Sequence, residues 1–171
     1  MIRENLPSLR VVEEAREYLK SAQLIERHAQ NGDFGLFWPA ALNAGLACEL
    51  YLKSFLVEFD PNHPGDREDP EGYLKLMSGL PNDKHDLRAL YKAIFPELAE
   101  QLRQISDRLS PGFPLEERIR ACSRLFVETR YTYEARSAQG IDSVVFELAP
   151  HLDQVLEEMT RRPVSSRSSG L

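Results

Sequence analysis

No stretch of this chain strings together the roughly 20 apolar residues that a membrane-spanning helix needs. Cysteine is nearly missing as well. Cys48 and Cys122 are the only two thiols, and each sits inside an apolar helical pattern, which excludes a disulfide scaffold and leads us to expect reduced, buried side chains. The opening residues, MIRENLPSLR, carry no apolar segment followed by a small-residue cleavage site, so the expected location is a reducing prokaryotic cytoplasm. Positive charge is also in deficit. A net charge of -6 argues against a protein that coats nucleic acid by bulk electrostatics, and leaves room only for a local basic pocket.

Several chemistries lack their residues. There is no His-x-x-x-His or Glu-x-x-His pair for zinc or di-iron, no Gly-rich phosphate loop and no Gly-x-Ser-x-Gly, so neither a metal nor a cofactor is expected. Cys48 has no neighbouring base in the sequence, which reads as a buried structural thiol. No alternating strand pattern and no internal repeat stand out.

What is present is helical periodicity. With 171 residues, 42% of them hydrophobic and 28% charged, the chain suffices for one ordinary soluble core, so residues 1–162 are expected to form a single domain. The stretch 163–171, PVSSRSSGL, is small and polar and reads as a disordered tail. Ser8 can cap a helix whose Val12, Ala15, Leu19, Ala22 and Ile25 share one face, ending near Asn31-Gly32. Pro39 suits the first turn of a second helix running to about Phe59, where DPNHPGDREDP makes a long polar loop. A short helical piece over Glu71 to Met77 follows, then a helix capped by Asn82 or Asp83 that buries Leu87, Leu90 and Ile94. Pro96 and Pro114 each start another helix, the second with Leu115, Ile119, Cys122 and Phe126 in line. A final one runs from Ile141 to Met159 with a kink at Pro150. The expected fold is all-α: an up-and-down bundle of four to five long helices with short accessory ones.

The segment LACELYLKSFL, residues 46 to 56, breaks the usual separation of apolar and charged residues. With Glu49 at zero and about 100° per residue, Lys53 falls at about 40°, and Leu42, Leu46, Leu52 and Leu56 lie within about 60° on either side. Ala44, Ala47, Tyr51 and Phe55 occupy the opposite side, so the helix is apolar nearly all round and belongs in the middle of the bundle or at a subunit contact. One reading is an ordinary i,i+4 pair whose lysine snorkels outward. The other is a polar network with partners from elsewhere, because a buried ion pair needs further hydrogen bonds to offset desolvation. Candidates are His85 in KHDLRALY, and Arg130, Tyr131 and Tyr133 in ETRYTYE. Each has a plainer alternative: a cap or half-buried imidazole for His85, and a helix-end ion pair for Arg130 and Tyr131.

Taken together, ACELYLKSFL, KHDLRALY and RYTYE resemble the HEPN superfamily, over about Pro39 to Glu134. The resemblance implies a helical bundle, commonly a homodimer, in prokaryotic defence or toxin–antitoxin type systems, with polar residues gathered in a cleft. Members that cleave RNA without metal carry an Arg followed four to six residues later by His. Here His28, His63, His85 and His151 all lack such an Arg, and Arg124 is followed by Tyr131 and Tyr133 instead. A phenol titrating near 10 is a poor general base at neutral pH. The resemblance is therefore to the non-cleaving branch, with no catalytic residue, and Glu49, Lys53, His85, Arg130, Tyr131 and Tyr133 as ligand-binding candidates. The expected function is a non-enzymatic module binding a nucleotide, an RNA end or a partner protein through a cleft bearing Lys53, His85, Arg130 and Tyr131; a separate reading is a purely structural bundle that recruits another protein through the 60–72 loop. The alternative is a divergent metal-independent ribonuclease using His85 or the Arg124 and Tyr131 pair.

Overall fold

The structure, a computed structural model, describes residues 6–65, 71–125 and 143–161. Among them lie four long helices, two short ones and one two-stranded hairpin: α1 (Leu9–Gln30), α2 (Phe37–Lys53), β1 (Val57–Phe59), β2 (Leu74–Leu76), α3 (Leu87–Ala93), α4 (Pro96–Leu109), α5 (Leu115–Ala121) and α6 (Val144–Thr160). The mostly helical class agrees with the periodicity. No helix among the described residues is long and apolar enough to cross a membrane.

α1 buries Val12, Ala15, Leu19 and Ala22, the stripe expected of it, against α2. Ser8 stands at the cap position in extended backbone without a side-chain cap bond, and its amide is tied to the Ser54 carbonyl at 2.8 Å. α1 stops where Gly32 takes a φ of 117°, a conformation that side chains resist. Pro39 lies in the first turn of α2, where its missing N–H leaves no hydrogen bond unmade.

α2 is the centre of the molecule. Ala40, Ala41, Ala44, Gly45 and Ala47 are buried, and such small side chains let neighbouring helices come close. Tyr51, Leu52, Phe55 and Leu56 fill the widest part of the core. α1 and α6 both pack on it.

Three expectations need correction. The second helix ends at Lys53 rather than Phe59, and residues 57–59 form β1. The span Glu71 to Met77 holds β2 rather than a helix, with Val57 opposite Leu76, Glu58 opposite Lys75 and Phe59 opposite Leu74. Three-residue strands are too short for alternation to register, although Leu74-Lys75-Leu76 does alternate. The cap of α3 is Asp86, not Asn82 or Asp83: the Asp86 side chain accepts from the Ala89 amide at 3.0 Å.

α4 begins at Pro96 as expected and α5 follows Pro114. α6 continues through Pro150 and buries Val145, Leu148, Leu152 and Val155. Phe126, Ile141 and the 163–171 tail lie outside the described residues.

Candidate functional site

The carboxylate of Glu49 is 2% exposed, and two groups meet it. Lys53 Nζ, one turn later on α2, donates to Glu49 Oε1 at 2.5 Å, and its side chain is 15% exposed. The second partner is His85, whose Nδ1 lies 3.1 Å from both Glu49 oxygens. The imidazole comes from the turn before α3. Asp83 holds the His85 amide at 3.2 Å, and the next residue after His85, Asp86, caps the helix. An ionised carboxylate only accepts, so Nδ1 must carry the proton.

The His85 side chain is 46% exposed, so this cluster runs from the dry interior to the surface. Two hydrogen-bonded cationic or N–H partners offset part of the cost of burying the Glu49 charge. Of the six candidates read from the sequence, Glu49, Lys53 and His85 meet in one cluster. Arg130, Tyr131 and Tyr133 lie outside the described residues. Arg124 is exposed, in the turn after α5.

Lys53 also lines a cleft of about 280 Å³ between the start of α1, the end of α2 and the hairpin. Arg10, Lys75 and Tyr73 are on its walls, with Glu14 as an acidic member. Arg10 Nη1 donates to the Gly72 carbonyl at 2.5 Å. Lys75 is held loosely by Glu58 at 3.8 Å, and Tyr73 leaves more than half its surface in solvent. The sequence reading missed Arg10, Tyr73 and Lys75. A helical assignment over 71–77 hid the last two, since it left unseen the hairpin that brings residues 73–76 to the cleft.

A second polar set ties three helices together. Tyr51 of α2 donates to Asp153 Oδ1 of α6 at 3.0 Å, and Arg16 Nε of α1 donates to the same oxygen at 2.6 Å. Burial, then the adjacent Asp153 carboxylate, push the Tyr51 phenol well above its ordinary range, so it remains a donor. Arg16 Nη2 is buried with no hydrogen-bond partner among the described residues.

A third set joins α4 to α6. Ser106 Oγ and His151 Nε2 are 2.7 Å apart, both residues are buried, and the Phe113 ring stacks on the imidazole at 3.8 Å between centroids. Burial lowers the His151 pKa, which keeps the ring neutral. A serine beside a neutral imidazole has the parts of a nucleophile and base. Here the pair is packed between helices under an aromatic ring, where it acts as an interhelical fastening. Burial, then Cys122, raise the Cys48 thiol well above its usual value, so it stays protonated and unreactive.

These side chains can hold an anion, stack a planar ring and orient an imidazole. Comparison with family models, with curated proteins and with solved structures finds no match for the chain.

Proposed function

We propose that this chain is a non-cleaving, HEPN-like helical module that acts as a homodimer and binds a nucleotide or an RNA end in a prokaryotic defence or toxin–antitoxin type system. The observation that carries the binding reading is the cleft where Arg10, Lys53 and Lys75 converge beside the exposed Tyr73 ring. Phosphates need cations, and a flat aromatic face accepts any base by stacking, worth about 1–3 kcal/mol per base. Lys53 is bonded to Glu49, Arg10 to the Gly72 carbonyl and Lys75 loosely to Glu58, and these three tethered cations make the wall that meets the phosphates. The resemblance of ACELYLKSFL, KHDLRALY and RYTYE to the superfamily supports the wider setting, and the missing Arg-x4-6-His spacing supports binding without cleavage.

Fluorescence anisotropy with a labelled, 5′-phosphorylated RNA hexamer tests this, alongside light scattering for the dimer. Saturable binding that falls about tenfold in Tyr73→Ala agrees with it. A flat titration rejects it.

One observation favours the ribonuclease reading. A half-exposed imidazole whose Nδ1–H rests on a buried carboxylate is oriented as general acid–base catalysts are. RNA cleavage in the presence of chelator, abolished by His85→Ala, would establish that reading in place of the first.

A further inference from the structure

A cavity lies at the other end of the α1–α2 pair. It holds about 640 Å³, within the range of small-molecule sites, and is framed by the end of α1, the turn at 34–36 and the starts of α2 and α6. Arg10 of the basic cleft and Glu26 of this cavity are sixteen positions apart on α1, or about 24 Å along the helix axis. The two share no lining residue.

Its lining is unusual for an acidic surface. Four aromatic rings, Phe34, Phe37, Trp38 and Phe146, line it together with two carboxylates, Glu26 and Glu147, and among the described residues neither Lys nor Arg belongs to the lining. Phe37 and Phe146 meet edge to face at 6.4 Å between centroids. Phe34 is 71% exposed at the mouth, an apolar ring left in water. Glu147 is met by Arg118 at 3.2 Å. Glu26 accepts from the Gln30 amide at 3.1 Å and faces no Lys or Arg among the described residues. Burial pushes the Glu26 carboxyl above its usual range, as expected of an acid losing water without gaining a counter-charge.

Aromatic faces and carboxylates attract the same partner. Ring quadrupoles draw a cation placed over them, best when its charge is diffuse and poorly hydrated, and the acids add Coulombic attraction. Rings offer no lone pairs to a bare metal ion, and the carboxylates repel anions. We propose that this cavity is a binding site for a small organic cation of the quaternary or alkylated ammonium class, with the rings around its methyl groups and Glu26 as counter-ion.

Trp38 is the only tryptophan in the chain, so its emission reports on the cavity directly. The probes are choline and its uncharged isostere, in which a quaternary carbon replaces the nitrogen, titrated into the full chain. Choline should change Trp38 emission saturably, with the isostere about tenfold weaker. Glu26→Gln should weaken choline about fivefold and leave the isostere unchanged, and Phe34→Ala should weaken choline at an unaltered melting temperature. Equal binding of the two probes, insensitivity to Glu26→Gln, or no saturable change would each overturn the proposal.

Discussion

His85 Nδ1 bridges both carboxylate oxygens of Glu49 at 3.1 Å, across 36 positions of sequence. With Lys53 at 2.5 Å on the same carboxylate, a buried acid has become the meeting point of α2 and the turn before α3. The cluster also fixes the direction of Lys53, the residue it shares with the basic cleft.

Removing one member of this cluster should cost far more than removing the pair. Glu49→Ala leaves the Lys53 ammonium near the core without its counter-charge, and we expect a loss of about 3 kcal/mol in urea denaturation. Glu49→Leu combined with Lys53→Met should recover most of that loss, because a well-packed apolar pair needs no desolvation offset. A double variant as unstable as the single one would mean that the apolar side chains do not pack in the space the ion pair leaves.

The burial of His151 makes stability depend on pH. The folded pKa of His151 lies below its ordinary value of 6.5, so the folded chain refuses a proton that the unfolded chain accepts. Its contribution is complete above about pH 6.5, is lost as the pH falls from there through the lowered folded value, and levels off below it. Denaturation curves between pH 8 and pH 5 should show this decline in the wild type and a shallower one in His151→Gln. Equal slopes would exclude His151 as a source.

Tyr51→Phe should cost about 1.5–3 kcal/mol, the value of a hydrogen bond to a charged acceptor. Asp153→Asn should cost more, because the part-buried Arg16 guanidinium then loses its counter-charge as well. Both residues share one oxygen of Asp153, so the double variant should be non-additive by about 1 kcal/mol, measured as a double-mutant cycle.

Gly72 connects the hairpin to the cleft. Its φ is +67°, a Cβ there would sit 2.7 Å from the Gly65 backbone nitrogen and 2.8 Å from the Phe59 ring, and its carbonyl accepts from Arg10. Gly72→Ala should therefore cost about 1–2 kcal/mol and weaken RNA binding at the same time. Both losses are read from one preparation by thermal melting and anisotropy.

How much of this was legible beforehand depended on the range of the signal. Periodicity of 3.6 residues exposed α1, α4 and α6, since each repeats its stripe for three turns or more, while α2 showed as a long apolar run behind Pro39. The burial of Glu49 was legible as one of two readings, because leucines lie at nearly the same angle, and Lys53 reaches from it towards the surface. His85 was legible as a candidate because KHDLRALY places it just before a helix. The hairpin was not, because β1 and β2 are three residues each and separated by a long polar loop. Without the hairpin, Tyr73 and Lys75 had no reason to join Arg10. The aromatic cavity was hidden similarly, with Glu26, Phe34, Trp38 and Phe146 drawn from four segments that only packing unites.

The central claim is that Arg10 and Lys75, set around Lys53, form the anion-binding wall of a cleft for RNA or a nucleotide. The most direct measurement is the salt dependence of RNA-hexamer affinity for wild type and Lys75→Ala. The account predicts a wild-type affinity that falls as salt rises, and a log–log slope reduced by about 0.7 to 1 in the variant, as one phosphate contact is lost. Identical slopes in the two proteins, or an affinity indifferent to salt, would contradict it.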